Sequence, residues 1–151
     1  MTLIRRLCAA GVTAAVFSCV APAIAAPNLE VRDAWVHATV PGQPVAGAYL
    51  TLKSRLPGRL ISARSEVARV VEIHQMSLND GVMRMRRLAS LDLPAGHEVQ
   101  LAPGGIHLML LDLQRPLLAG EQIELDLVTI AGSDIPTTTR VIVPVRKEQS
   151  R

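Results

Sequence analysis

The sequence predicts a single all-β domain, an antiparallel Greek-key sandwich or barrel. Three observations lead there: short runs of alternating apolar and polar residues, turn-forming clusters at close and regular intervals, and no segment with a long, capped helical period. In chain order, residues 29–40 read as an extended segment that ends at the Pro41-Gly42 turn. Strands are then expected over 45–53, 60–64 and 68–76, the last carrying Val70, Val71 and Ile73. Shorter runs follow at 82–88, 98–101, 106–113, 122–130 and 137–145. Pro57-Gly58, Asn79-Asp80-Gly81, Pro94-Ala95-Gly96, Pro103-Gly104-Gly105, Ala119-Gly120 and Gly132-Ser133-Asp134 separate them. Eight or nine strands at this spacing suit a two-sheet sandwich or barrel. The core is expected to be aliphatic, with Trp35 and Tyr49 as its large rings and Trp35 as a core plug.

The first residues read as an export signal. Arg5 and Arg6 supply a positive n-region, residues 7–20 are mostly apolar, and Ala23-Ile24-Ala25 has the small-x-small pattern of a cleavage site. The expected domains are therefore a signal peptide at 1–25 and a mature domain at 26–151, located in the periplasm. The apolar stretch is short for a membrane span and ends at Pro22, so no stable membrane insertion is expected. A lipoprotein signal is the weaker rival, because bulky Phe17 spoils the Val16-Phe17-Ser18 lead into Cys19. Cys8 and Cys19 both fall within the signal, so the mature chain would have no cysteine. That excludes thiolate-ligated zinc, iron–sulfur and blue-copper centres.

Without Arg5 and Arg6 the mature chain is close to neutral. Arg84, Arg86 and Arg87 read as a solvated strand face. With one Trp, one Tyr and one Phe, the chain lacks the aromatic platforms that stack on single-stranded nucleic acid, and nucleic-acid binding is not expected.

The chemistry-bearing pattern is His74, Met85, His107 and Met109, spaced H-x10-M-x21-H-x-M. Two imidazoles and two thioethers form a soft, neutral donor set that suits Cu(I). Alternation puts Glu72, His74 and Met76 on the face opposite Val71 and Ile73. An Asn79-Asp80 hairpin loop would set Met76 opposite Met83 and His74 opposite Met85, whereas an Asp80-Gly81 loop would set Met76 opposite Met85. The ten-residue gap is what the first register predicts, and the sequence leaves both open. His107 and Met109 share one strand face after the Pro103-Gly104-Gly105 turn. Taken singly, Met109 reads as core among Leu108, Leu110 and Leu111, and His107 as an ordinary hydrogen-bonded histidine; the joint arrangement favours the metal. Met76 and Met83 are expected as hydrophobic cover, His97 as a surface residue, and His37 has no evident partner.

These residues resemble the periplasmic copper chaperones of the PCu(A)C family across nearly the whole mature chain. The likeness rests on the four spaced residues and on Asp33-Ala34-Trp35-Val36, Pro41-Gly42-Gln43-Pro44, Ala48-Tyr49-Leu50-Thr51-Leu52, Val71-Glu72-Ile73-His74, Asp80-Gly81-Val82-Met83 and Pro103-Gly104-Gly105-Ile106-His107-Leu108-Met109. The resemblance implies a cupredoxin-like antiparallel Greek-key β-sandwich or barrel that binds one Cu(I) near its surface. It also implies delivery of copper toward the Cu(A) centre of cytochrome c oxidase, with oxidase subunit II and Sco-type thiol proteins as partners. His37 stands where an arginine is expected and Ser54 where an asparagine is common, the loop over 54–59 looks shortened, and Lys147-Glu148-Gln149-Ser150-Arg151 lacks the His/Met-rich tail of some relatives. One copper site is therefore expected.

Copper transfer by ligand exchange, not catalysis, is the expected activity, and acid should weaken copper binding because protonated imidazole cannot ligate. Oxidation of Met to the sulfoxide should weaken it as well. A copper-storage or resistance protein uses the same site, and a metal-free interaction sandwich leaves the His/Met pattern unexplained. A zinc enzyme would need His with a carboxylate and an open water position; Glu72 and Asp112 are available, but no HExxH-type spacing occurs.

Overall fold

The computed structural model describes residues 28–147; the expected signal peptide and residues 148–151 lie outside the described residues. Ten strands follow one another: β1 (Leu29–His37), β2 (Val45–Ser54), β3 (Gly58–Arg64), β4 (Ala68–Asn79), β5 (Val82–Leu88), β6 (Leu91–Leu93), β7 (Glu98–Leu101), β8 (Ile106–Leu113), β9 (Gln122–Ala131) and β10 (Thr137–Arg146). The expected β4 was three residues short, and β6 was not anticipated.

Hydrogen-bonded neighbours run β4–β8–β2–β1–β10–β9–β3, and the Ala63–Val71 pair joins β3 back to β4. The result is a closed seven-stranded barrel, which confirms the all-β, cupredoxin-like expectation. β1 and β10 run parallel, and the other neighbouring pairs are antiparallel. Closure leaves the ring without edges. Three strands hang outside it: β5 from β4, β6 from β3 and β7 from β2.

Strand alternation fills the interior. Ala46, Ala48, Leu50 and Leu52 of β2 point inward, as do Leu108 and Leu110 of β8, Leu125 and Leu127 of β9, and Val143 and Val145 of β10. Each fully buried leucine contributes about 1.5–3 kcal/mol of transfer free energy. The buried hydrophobic residues are all aliphatic.

Trp35 does not plug this core. The β1–β2 register steps from Arg32↔Thr51 to Trp35↔Tyr49, so β1 carries one extra residue, and Asp33 there adopts φ 50°. This bulge reverses the facing of the rest of β1. Val36 turns inward and is fully buried, while Trp35 and His37 turn outward and stay half-buried. Tyr49, directly opposite Trp35, also faces outward.

Candidate functional site

The outward residues of β1, β2, β8, β4 and β5 form one continuous surface, because these strands are neighbours in the barrel wall. The register fixes who meets whom. His74 on β4 lies opposite His107 on β8, and Glu72 lies opposite Met109. On the far side of β8, Met109 faces Gly47.

Of the two registers that the sequence leaves open for the β4–β5 hairpin, the structure adopts the second. Asn79 pairs with Val82, so Asp80-Gly81 is the loop, and the partners are Met76↔Met85 and His74↔Arg87. The cause is turn chemistry. A two-residue hairpin of this hand needs positive φ at both loop positions, and Asp80 (51°) and Gly81 (76°) supply it. The slip does not separate the pair of interest. Met85 becomes the diagonal neighbour of His74 on the same face, and its Sδ sits 3.1 Å from His74 Nδ1.

Hydrogen bonds assign the ring nitrogens. His74 Nε2 is 2.8 Å from Glu72 Oε2, and an ionised carboxylate only accepts, so Nε2–H donates. In the neutral ring, Nδ1 then presents its lone pair to the Met85 sulfur. In that tautomer the nitrogen and sulfur lone pairs, on atoms 3.1 Å apart, form a place for a soft cation. Glu72 Oε1 in turn forms an ion pair with Arg87 Nε at 3.4 Å. This carboxylate–histidine pairing is the usual way a metal-binding imidazole is oriented.

His107 is held in the opposite tautomer. Its Nδ1–H donates to Gly105 O at 3.2 Å, which leaves the Nε2 lone pair available. Gly105 O also accepts from Met76 N at 3.1 Å, so one carbonyl ties the histidine to β4. That carbonyl is placed by the Pro103-Gly104-Gly105 turn, where Gly104 has φ 80° and Gly105 N donates to Ala102 O. The His74 and His107 rings meet nearly edge to face, with centroids 5.9 Å apart.

An aromatic row supports His107 from the other side. Tyr49 lies 6.2 Å from it between centroids, Trp35 lies 4.6 Å from Tyr49, and His37 contacts both Trp35 (4.7 Å) and Tyr49 (5.3 Å). Gly47 makes room for this row: a Cβ there would stand 2.5 Å from the Tyr49 hydroxyl. His107 is accordingly 4 % exposed although it faces outward.

The structure thus brings His74, Met85 and His107 together and puts Met109 beside His107 on the same face, half-buried and not in the core. Met76 is half-buried on that face; Met83 is exposed. His97 is exposed and donates from Nδ1 to Ala95 O, as a surface residue should. Glu72, Tyr49 and Trp35 were not foreseen as site residues. Glu72 had a usable signal, its i−2 relation to His74; the aromatic row depended on the β1 bulge. Among the described residues, no group of three His, Cys, Asp or Glu converges, and the groups gathered at His74 include the Met85 sulfur.

Known proteins share this architecture. The LpqE-like family model ("Putative lipoprotein LpqE-like") matches residues 29–141. "Putative lipoprotein Lxx21020" of Leifsonia xyli subsp. xyli (strain CTCB07) is 34% identical over 128 residues, 83% of this chain and 74% of that protein. The solution structure of CuI-DR1885 from Deinococcus radiodurans is similar with a TM-score of 0.62 at 31% identity, covering 83% of this chain and 82% of that one. The copper-bound PCuAC domain from PmoF2 shares the fold with a TM-score of 0.65 at 23% identity, covering 81% and 95%. The chain belongs to the LpqE-like, or PCu(A)C, family.

Proposed function

We propose that this protein is an exported Cu(I)-binding metallochaperone whose ligands are His74 Nδ1, Met85 Sδ, His107 Nε2 and Met109 Sδ. The observation that carries the reading is the 3.1 Å approach of the His74 Nδ1 lone pair to the Met85 sulfur, beside the His107 ring. The copper-bound relatives support the choice of metal. The donor set supports the monovalent state, since thioethers and neutral imidazoles favour Cu(I) over Cu(II).

The site grades from inside to outside. His107 is 4 % exposed and braced by Gly105 and Tyr49, whereas Met85 is 46 % exposed on the outermost strand. An incoming ligand therefore displaces Met85 first, and the buried histidine lets go last. Copper is cargo here, passed by stepwise ligand exchange with no covalent chemistry on the protein. Glu72 is a positioning residue that keeps His74 in its ligating tautomer.

Anaerobic competition titration with Cu(I), Cu(II) and Zn(II) tests the metal: one tightly held Cu(I) per chain is expected, and tighter Zn(II) binding would contradict it. The destination follows the family resemblance, toward the Cu(A) centre of cytochrome c oxidase with subunit II and Sco-type proteins as exchange partners. Deleting the gene should lower oxidase activity when copper is scarce. Unchanged oxidase activity with increased copper sensitivity would assign storage or resistance instead.

Export rests on the signal reading of residues 1–25, and the lipoprotein name of the relative is compatible with an exported protein. Among the described residues, no helix is long and apolar enough to cross a membrane. Intact mass of the secreted protein should correspond to a start at Ala26; a lipidated Cys19 would contradict cleavage there.

A further inference from the structure

The three strands outside the barrel ring are not equivalent. β6 has three residues and β7 four, but β5 has seven, is exposed over nearly its whole length, and among the described residues pairs only with β4. It contains no Pro or Gly, and its register against β4 is unbroken. The residues flanking a two-residue hairpin loop exchange both backbone hydrogen bonds, so Asn79–Val82, Ser77–Arg84 and Gln75–Arg86 are the bonded pairs. Met83, Met85 and Arg87 therefore turn their N–H and C=O groups away from the sheet, as a free edge.

The two faces of this edge differ in chemistry. Met83 and Met85 lie on the site face, while Arg84 and Arg86 lie on the other. Gln75, Ser77, Arg84, Met85 and Arg86 line an open pocket of about 490 Å³. Arg86 donates to the neutral Gln75 Oε1 at 2.7 Å, and among the described residues no carboxylate pairs with Arg84 or Arg86. Two guanidinium groups without carboxylate partners, beside an open backbone edge, complement an acidic extended segment. A second copy is a poor occupant: antiparallel self-pairing centred on Met85 would set Arg84 against Arg86 twice, and like charges directly opposed are destabilising.

We propose that the free edge of β5 docks an acidic extended strand of the protein that exchanges cargo with this one. Such a strand adds to the sheet through backbone hydrogen bonds, with carboxylates on the face of Arg84 and Arg86. Its alternate residues then stand directly opposite Met85, with Cβ atoms about 4.5–5.5 Å away. A Met, Cys or His at that place takes over from Met85, so docking and transfer share one geometry. The transfer part rests on the copper-site reading above; the docking part does not.

The test uses the metal-free protein and the capped heptapeptide Thr-Glu-Met-Glu-Thr-Glu-Thr, with a control peptide in which Lys replaces Glu. Hydrogen exchange followed by NMR should slow at the Met83, Met85 and Arg87 amides with the acidic peptide and not with the control. Arg84→Glu combined with Arg86→Glu should weaken acidic-peptide binding by about tenfold or more while leaving Cu(I) affinity unchanged. The proposal is overturned by no slowing at these amides, by equal slowing with the Lys peptide, or by slowing that rises with protein concentration alone, which would make a second copy the occupant. Because no metal is present, these outcomes are independent of whether the four proposed ligands hold copper.

Discussion

The barrel has two contrasting walls, β9–β10 on one side and β8–β4–β5 on the other. Their inner faces are alike: Leu125, Leu127 and Val143 in one and Leu108 and Leu110 in the other are fully buried. Their outer faces are not. Across β9–β10, Arg140 forms a fork to Asp126, directly opposite it, and also reaches Glu124 at 3.2 Å. Across β8–β4–β5, the outer face carries imidazoles, thioethers and one ion pair, Glu72 with Arg87. One wall is a finished surface, with its charges matched. The other leaves lone pairs facing each other and the outer edge of β5 open. The fold's stability therefore resides in what the walls share, and the function in what distinguishes them.

Substitutions on each wall should separate these roles. The largest effect is expected from Leu125→Ala on β9, which removes a fully buried side chain and should cost about 2–5 kcal/mol in urea unfolding without altering copper stoichiometry. Met109→Ala should do the reverse, lowering Cu(I) affinity by more than about a hundredfold while the urea midpoint moves little. Even a supporting residue of a metal site is worth roughly ten- to a hundredfold, and a ligand is worth more. Glu72→Gln should fall within that supporting range, and nitrogen-15 shifts should show His74 losing its fixed tautomer. Unchanged shifts would remove Glu72 from its positioning role. Gly81→Ala strains a residue at φ 76° and should cost about 1 kcal/mol, with Cu(I) affinity falling as Met85 loses its register.

The smallest effect concerns the finished wall. Hydrogen bonding to Arg140 holds the Asp126 carboxyl below its usual value, and Arg115 does the same for Glu121 in the connection that leads into β9. A depressed folded-state value means the stabilisation is present above the ordinary carboxylate range, near pH 4, and is lost as pH falls through the folded value. Both pairs are exposed, so Arg140→Ala should leave stability at neutral pH nearly unchanged and slightly flatten its decline in acid. A large neutral-pH loss would show that this wall contributes more than its inner face.

How much of this was legible in the sequence varies with the range of the interaction. Alternation and turn clusters located nine of the ten strands, because burial on one face imposes a period of two. Leu91–Leu93 escaped because three residues are too few to display a period. The four spaced residues were legible as a donor set, and their shared outer face followed from alternation on β4 and β8. The hairpin register stays open in the sequence, because the ten-residue gap fits direct opposition of His74 and Met85 while Asp80-Gly81 is itself a strong loop signal. The actual contact is diagonal. Trp35 was assigned to the core because nothing local announces the extra residue at Asp33, whose bulge is defined only against β2. The same bulge hid the partners of His37.

X-ray absorption at the copper edge of the Cu(I)-loaded protein tests the central claim most directly. Two sulfur and two nitrogen scatterers are expected, with one sulfur lost in Met85→Ala and another in Met109→Ala. A spectrum containing only nitrogen and oxygen neighbours, or one unchanged by both substitutions, would contradict the assignment.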